Sequence, residues 1–258
     1  LNIPRESIQV ECIKTDKPSL VLLHGWGTNR AVWRSWLPLL QEHYSVTSID
    51  LPGLGGSVLE QENLNIDNVL DAIAPLVPNK SVLLGWSLGG LIATLLAKRI
   101  ADRILSLVTI AFNPCFVQQK DWLYAMDEAT FDAFQENIKS NEQATLDGFC
   151  TLQVLGGSQA RAILKALKEI NRELSPSHLS DTLNMLRFDA REELKSLELP
   201  SLHIYGHNDR LVPIELVSLL PKLSARISTL EISSAGHLPF MSDAQIVTSE
   251  LTKFTRAI

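Results

Sequence analysis

The sequence predicts an α/β fold, a mostly parallel, doubly wound sheet interrupted once by a block of helices. Three observations carry this: short apolar runs recur along the chain, helical patterns separate them, and the alternation lapses between Ile110 and Leu202. Strands buried on both faces and linked by crossover helices read as nearly continuous runs of Val, Ile and Leu. A length of 258 residues suits one such core carrying a subdomain.

Residues 8–13 alternate apolar and polar positions, as a half-exposed edge strand does. Buried strands are predicted at 20–23, 45–49, 82–84, 104–110, 202–205 and 227–232. Between them, 69–77 and 91–97 carry helical spacing, the first stopped by Pro75 and Pro78. After Ile110 the spacing is helical throughout. Phe131, Phe134 and Ile138 form one apolar face, and Leu146, Phe149, Leu152 and Leu155 a second. Ile163, Leu164, Leu167 and Ile170 form a third; Leu179, Leu183 and Leu186 form a fourth, with Ser175 as N-cap and Pro176 in its first turn. The predicted layout is a sheet core at 1–112 and 195–258 with about four helices inserted at 113–194. These would form a lid over the strand ends, where open α/β sheets take their ligands.

A formal net charge of −6 argues against general nucleic-acid binding, which needs clustered Lys and Arg. With 45% hydrophobic and 20% charged residues, the composition is that of a folded globular chain and not of a disordered one. Cys12, Cys115 and Cys150 are odd in number and lack the spacing of metal or redox pairs, so each is expected to be reduced and buried. The start Leu1-Asn2-Ile3-Pro4-Arg5-Glu6 has no basic stretch leading into an apolar one, and no apolar run of about 18 residues follows. A cytoplasmic monomer without a membrane partner is expected.

The segment Gly85-Trp86-Ser87-Leu88-Gly89-Gly90 falls between a predicted buried strand and a predicted helix. A nucleophile elbow requires that context: small residues let the chain turn sharply and present the serine hydroxyl at the top of the sheet. A hydroxyl is a poor nucleophile at neutral pH, so a base must take its proton and a third group must hold that base in the right tautomer. With an elbow of this kind the chain order is serine, acid, histidine. His237 follows the last predicted strand in Ser234-Ala235-Gly236-His237, and Asp209 follows the preceding one in Gly206-His207-Asn208-Asp209. Both would emerge at the sheet edge that carries the serine, so Ser87, Asp209 and His237 are the expected catalytic residues.

Competing residues have other expected roles. His203 lies inside a strand and should be packed, while His43 and His178 lie on polar segments and should be solvated. His207 is the nearest rival, because it shares a loop with Asp209. Asp181 and Asp189 fall among the inserted helices, and Asp50 is expected to accept hydrogen bonds in the turn Asp50-Leu51-Pro52-Gly53.

Ester cleavage also needs donors aimed at the developing oxyanion, each contributing on the order of 3 kcal/mol. The loop His24-Gly25-Trp26-Gly27 follows a strand, and the backbone N–H groups of Trp26 and Leu88 are the expected pair. His24 has no partner at ligand spacing, so no metal is expected. Gly53-Leu54-Gly55-Gly56-Ser57-Val58 imitates a dinucleotide turn, but Val58 takes the third glycine position; no cofactor is expected. Cys115 could line the pocket.

Together the His24-Gly25-Trp26-Gly27 loop, the Trp86-Ser87-Leu88-Gly89-Gly90 elbow, Asn113-Pro114-Cys115-Phe116 and Phe149-Cys150-Thr151-Leu152-Gln153 resemble the pimeloyl-[acyl-carrier protein] methyl ester esterases of biotin biosynthesis, a family within the α/β-hydrolase fold. The resemblance spans nearly the whole chain. It implies hydrolysis of a methyl ester on a carrier-bound acyl chain by Ser87, Asp209 and His237, with substrate contacts from Trp26, Leu88, His237 and the Phe149, Cys150, Thr151, Leu152, Gln153 segment. It also implies acyl-carrier protein as partner. Arg161, Lys165, Lys168 and Arg172 fall on one helical stripe suited to an acidic carrier, although Ala144, Asp147 and Gly148 stand where the family carries further basic residues. Two alternatives keep the fold: a general short-acyl esterase or carbon–carbon bond hydrolase or lyase, and a receptor that retains the triad without turnover.

Overall fold

The computed structural model describes residues 8–57, 64–172 and 178–258. Strand β1 (Val10–Ile13) precedes β2 (Ser19–Leu23), α1 (Leu37–Gln41), β3 (Ser45–Ile49), α2 (Ile66–Ile73), β4 (Ser81–Trp86), α3 (Leu88–Arg99) and β5 (Ile104–Ile110). Among the described residues five helices follow: α4 (Glu128–Ser140), α5 (Glu142–Val154), α6 (Ala160–Arg172), α7 (Leu179–Asn184) and α8 (Arg191–Lys195). The chain then returns through β6 (Ser201–Gly206), α9 (Leu216–Leu219), β7 (Ile227–Ile232), α10 (Pro239–Ser242) and α11 (Ala244–Arg256).

The strands form one sheet in the order β1-β3-β2-β4-β5-β6-β7. Among the described strands of this sheet only the β1–β3 pairing is antiparallel, which fits the alternating pattern of this edge strand. Successive residues of β2 point to opposite faces: Val21 and Leu23 join the core beneath α2 and α3, while Leu20 and Leu22 join the one beneath α1 and α11. Two cores on one sheet explain why β4 and β6 are buried at every position.

Several sequence expectations are corrected in detail. Helix α2 starts three residues earlier than predicted, because Asn65 and Asn68 cap each other's backbone N–H groups. Pro75 does not stop the chain from turning but occupies a 3-10 turn at Ala74–Leu76. Helix α3 begins at Leu88 and absorbs both elbow glycines. On α5 the buried residues are Leu146, Cys150, Gln153 and Val154, whereas Leu152 and Leu155 are exposed. Cys12 is exposed on the edge strand; Cys115 and Cys150 are buried, and burial pushes each thiol up to about 11. The proposed cap at Ser175 and Pro176 lies outside the described residues. Helix α8 packs on α3, and the Ala190 N–H donates to the Pro114 carbonyl at 2.7 Å.

His203 is fully buried, with Thr109 Oγ1 at 2.7 Å from Nδ1 and Ser201 Oγ at 3.0 Å from Nε2. Burial brings its pKa down to about 3. The unfolded chain therefore binds a proton that the native chain refuses between about pH 6.5 and pH 3. Stability is expected to be intact above about pH 6.5 and to fall on acidification by about 1.4 kcal/mol per pH unit from this residue. Denaturant midpoints at pH 7 and pH 5 measure this; His203→Gln should flatten the slope by one proton, and an unchanged slope would contradict the assignment.

Candidate active site

Ser87 occupies the turn between β4 and α3 with φ 54° and ψ −117°, a conformation that costs a non-glycine residue roughly 1–3 kcal/mol. Its N–H donates to the Ile110 carbonyl at 2.9 Å. The flanking glycines are demanded by contact: a Cβ on Gly85 would lie 2.0 Å from the Gly89 oxygen, and one on Gly89 would lie 2.1 Å from the Leu23 oxygen. The elbow motif is thus the sequence record of a helix starting directly against two strands. Leu88 opens that helix, so its N–H is one the helix cannot pair internally and is available to an oxyanion.

The loop after β2 carries Trp26. Gly25 lets it cross the Trp86 indole, which a Cβ would meet at 2.9 Å. His24 fixes the loop from below: Nδ1–H donates to the Gly25 carbonyl at 2.9 Å, and Nε2 accepts from the Leu51 N–H at 2.9 Å. A carbonyl only accepts and an amide N–H only donates, so the tautomer is set and both nitrogens are engaged. Burial holds the His24 pKa below its ordinary value against the opposing pull of Asp50. Asp50 in turn accepts from the Arg30 and Gly56 N–H groups and pairs with the Arg30 guanidinium, the structural role its turn position suggested.

The acid and the histidine meet beyond the ends of β6 and β7. His237 Nδ1–H donates to Asp209 Oδ2 at 2.7 Å, with the two side chains 1% and 0% exposed. Asp209 Oδ1 accepts from the N–H groups of Leu211 at 2.8 Å and Val212 at 3.1 Å, so the carboxylate is held from both sides. The His237 carbonyl accepts from Trp86 Nε1 at 2.9 Å, which ties the histidine loop to the elbow strand. His237 Nε2 is buried and makes no hydrogen bond among the described residues. It belongs to a residue that lines one cavity with Ser87. Uncomplexed sites often leave the serine–histidine bond unmade until substrate arrives.

That cavity is otherwise apolar. Phe131, Phe134 and Phe149 come from α4 and α5, Leu183 and Leu186 from α7 and the turn after it, and Phe116, Met126 and Leu211 from loops. Its volume is about 40 Å³, well short of the roughly 300 Å³ or more of an occupied ligand pocket. Of the segment predicted to touch substrate, Phe149 alone lines it. Cys150 is buried beside α6, where it accepts from Asn171 Nδ2 at 3.0 Å. Thr151 and Leu152 are exposed, and Gln153 contributes its carbonyl to the His237 N–H at 3.3 Å. An α-helix shows a cavity only one side, so five consecutive residues cannot all face it. The other lining residues were legible only as apolar helix faces, which core and cavity share. Cys115 donates to the Val117 carbonyl at 3.2 Å and is not among the lining residues.

The rivals are engaged elsewhere. His207 is exposed and pairs with Glu231 at 2.7 Å. His178, expected to be solvated, is only 11% exposed and pairs with Asp181 at 2.9 Å, because α7 folds back over the Gly53 turn. Asp189 is bound by Arg191, which also holds Asp121.

A family model described as alpha/beta hydrolase fold matches residues 18–244. A Vibrio cholerae protein named pimeloyl-[acyl-carrier protein] methyl ester esterase is 35% identical over 91% of this chain and 93% of its own length. The chain belongs to this family of α/β hydrolases. The biotin biosynthesis bifunctional protein BioHC of Teredinibacter turnerae is 35% identical over 92% of this chain and 44% of its own. An esterase from Exiguobacterium antarcticum superimposes with a TM-score of 0.87 at 22% identity, covering 96% of this chain and 95% of that one. This chain is a carboxylic ester hydrolase, and none of its described helices is long and apolar enough to cross a membrane.

In this esterase the Trp26 side chain does not line the cavity. Its indole is 1% exposed, stands edge-on to Phe134 and Phe149 at 5.5 and 5.1 Å, and donates to the Leu179 carbonyl at 3.0 Å. One side chain of the loop after β2 therefore fastens α4, α5 and α7. Trp26→Ala is expected to lower stability by about 3 kcal/mol or more and to speed amide hydrogen exchange in α4, α5 and α7 while sparing the sheet. Uniform exchange across the molecule would refute that fastening role.

Proposed function

We propose that this esterase hydrolyses the methyl ester at the far end of a pimeloyl chain carried on acyl-carrier protein, a step of biotin synthesis. The observation that carries this reading is a cavity where Ser87 and His237 meet eight uncharged apolar side chains. Such a wall accepts a neutral ester and a methylene chain, and it disfavours the free carboxylate that hydrolysis produces, since an unpaired buried charge is costly. Product expulsion is built into the same surface.

Asp209 keeps the His237 proton on Nδ1, which leaves Nε2 as the base. His237 takes the Ser87 proton as Oγ attacks the ester carbonyl, and the Leu88 and Trp26 N–H groups receive the negative charge that forms on the carbonyl oxygen. Collapse breaks the bond to the methoxy group, which leaves as methanol with the proton from His237. Water then attacks the acyl-enzyme with His237 again as base, giving the carboxylate and restoring Ser87. The segment 113–194 acts as the lid, and it must part before an acyl chain enters a cavity of about 40 Å³. Substrate contacts are assigned to the Trp26 and Leu88 backbone, Phe149 and His237.

Carrier recognition is assigned to Arg161, Lys165, Lys168 and Arg172. They share the outer side of α6, opposite the buried Ile163, Leu167 and Ile170, and Glu169 lies 4.0 Å from Lys165. Leu164, half-buried, packs against the same core as Ile163, Leu167 and Ile170 and also borders this outer side. The test compares kcat/KM for free dimethyl pimelate with that for the carrier-linked methyl ester; equal values would remove carrier recognition. Reversing charge with Arg161→Glu and Lys165→Glu is expected to slow only the carrier-linked substrate, on the order of tenfold at low salt and less at high salt.

A further inference from the structure

The turn between α5 and α6 touches both loops that carry the acid and the histidine. Ser158 N–H donates to the Ser234 carbonyl at 2.9 Å, and Gln159 Nε2 donates to the Ser242 carbonyl at 2.7 Å. These two bonds bracket the histidine loop, while the Gln153 carbonyl holds its centre through the His237 N–H. On the acid loop, a Cβ at Gly156 would lie 2.9 Å from the Asn208 oxygen, and on the histidine loop a Cβ at Gly157 would lie 2.8 Å from the Gly236 nitrogen. The two loops are themselves joined: Asn208 N–H donates to the Ala235 carbonyl at 2.9 Å, and Asn208 Nδ2 to that of Ser233 at 3.0 Å.

The turn also takes left-handed backbone. Gly156 has φ +85°, which glycine adopts freely, and Gln159 has φ 58°, where a side chain is strained. Such a conformation in a glutamine persists only when its surroundings hold it there. Gln159 is exposed, so core packing does not account for it. Its carbonyl accepts from the Ala162 and Ile163 N–H groups at the start of α6, and its side chain is tied to the Ser242 carbonyl on the far flank of His237, so the residue joins α6 to the histidine loop.

We propose that Gly156 and Gln159 are positioning residues: the turn at 155–159 sets where the histidine loop stands, and so how closely His237 approaches Ser87. The proposal rests on reading Ser87, Asp209 and His237 as the triad. A catalytic group displaced by about 1 Å can lose on the order of 100-fold in rate. The Nε2 atom makes no hydrogen bond among the described residues, so its place is inherited from the Asp209 bond at Nδ1 and from the backbone of residues 236–238.

The experiment uses the full chain with free dimethyl pimelate, which avoids carrier docking, and the rate of Ser87 labelling by a fluorophosphonate probe. Gln159→Ala is expected to lower kcat and the labelling rate together, on the order of tenfold, with KM within about twofold. Gln159→Lys restores a donor to Ser242 and should recover most of that loss. Gly156→Ala, driven against Asn208, should lose on the order of 100-fold. Native kcat and labelling in the Gln159→Ala protein, a loss confined to KM, or no recovery with lysine would each overturn the proposal. Should Gly156→Ala fail to fold, the Gln159 pair decides alone. If the native chain is not labelled, or a Ser87→Ala variant keeps turnover, the triad reading itself fails, a result distinct from all of these.

Discussion

Ser87→Ala is expected to lower kcat on the carrier-linked methyl ester by about 10⁴- to 10⁶-fold, with the fold intact. The residual rate would come from the Leu88 and Trp26 donors and from binding alone. A companion variant separates chemistry from strain. Alanine keeps a Cβ and so keeps the cost of φ 54° and ψ −117° at this turn, whereas glycine adopts positive φ freely. Ser87→Gly should be equally inactive yet more stable than Ser87→Ala by up to about 2 kcal/mol, after the entropy lost by a freer unfolded chain is subtracted. Thermal unfolding read beside turnover checks both. A Ser87→Gly protein less stable than Ser87→Ala would show that the elbow conformation is not strained.

The sheet was legible because burial on both faces leaves a strong trace: 45–49 and 104–110 were read at the bounds the structure gives. Helix starts were harder, since the signals lie in contacts that composition does not record. Gly89 and Gly90 look like a turn in sequence. They lie in the first turn of α3, and they are glycines because Leu23 and Phe112 come too close for any side chain. On α5 a leucine spacing suggested one face, and the helix buries a neighbouring one that includes Cys150 and Gln153; period alone cannot reveal that a glutamine is inside. Chain order and loop position singled out Ser87, Asp209 and His237. The cavity wall was not separable from the core, because Phe134 and Leu183 serve helices whose apolar faces do both jobs. The turn at 155–159 left no trace beyond two glycines, for its meaning lies in loops more than 50 residues further along the chain.

Asp209→Asn is expected to cost about 10⁴-fold in kcat with KM nearly unchanged. The side chain is 0% exposed and lies behind His237, so it cannot contribute to substrate affinity directly. Asparagine can keep the bonds to the Leu211 and Val212 N–H groups through its single carbonyl oxygen, which preserves the turn. That choice points its NH₂ at His237 Nδ1. Two donors cannot face each other, so the imidazole moves its proton to Nε2 and ceases to be a base toward Ser87. Asp209→Ala differs in kind. It strands the two loop amides as well, and each unmet buried donor costs about 1–3 kcal/mol. The asparagine variant should therefore unfold close to the native midpoint while being nearly inactive, and the alanine variant should lose both properties. If the asparagine variant retained activity within tenfold of native, the tautomer would not be set by Asp209, and the 2.7 Å contact to His237 would be structural only.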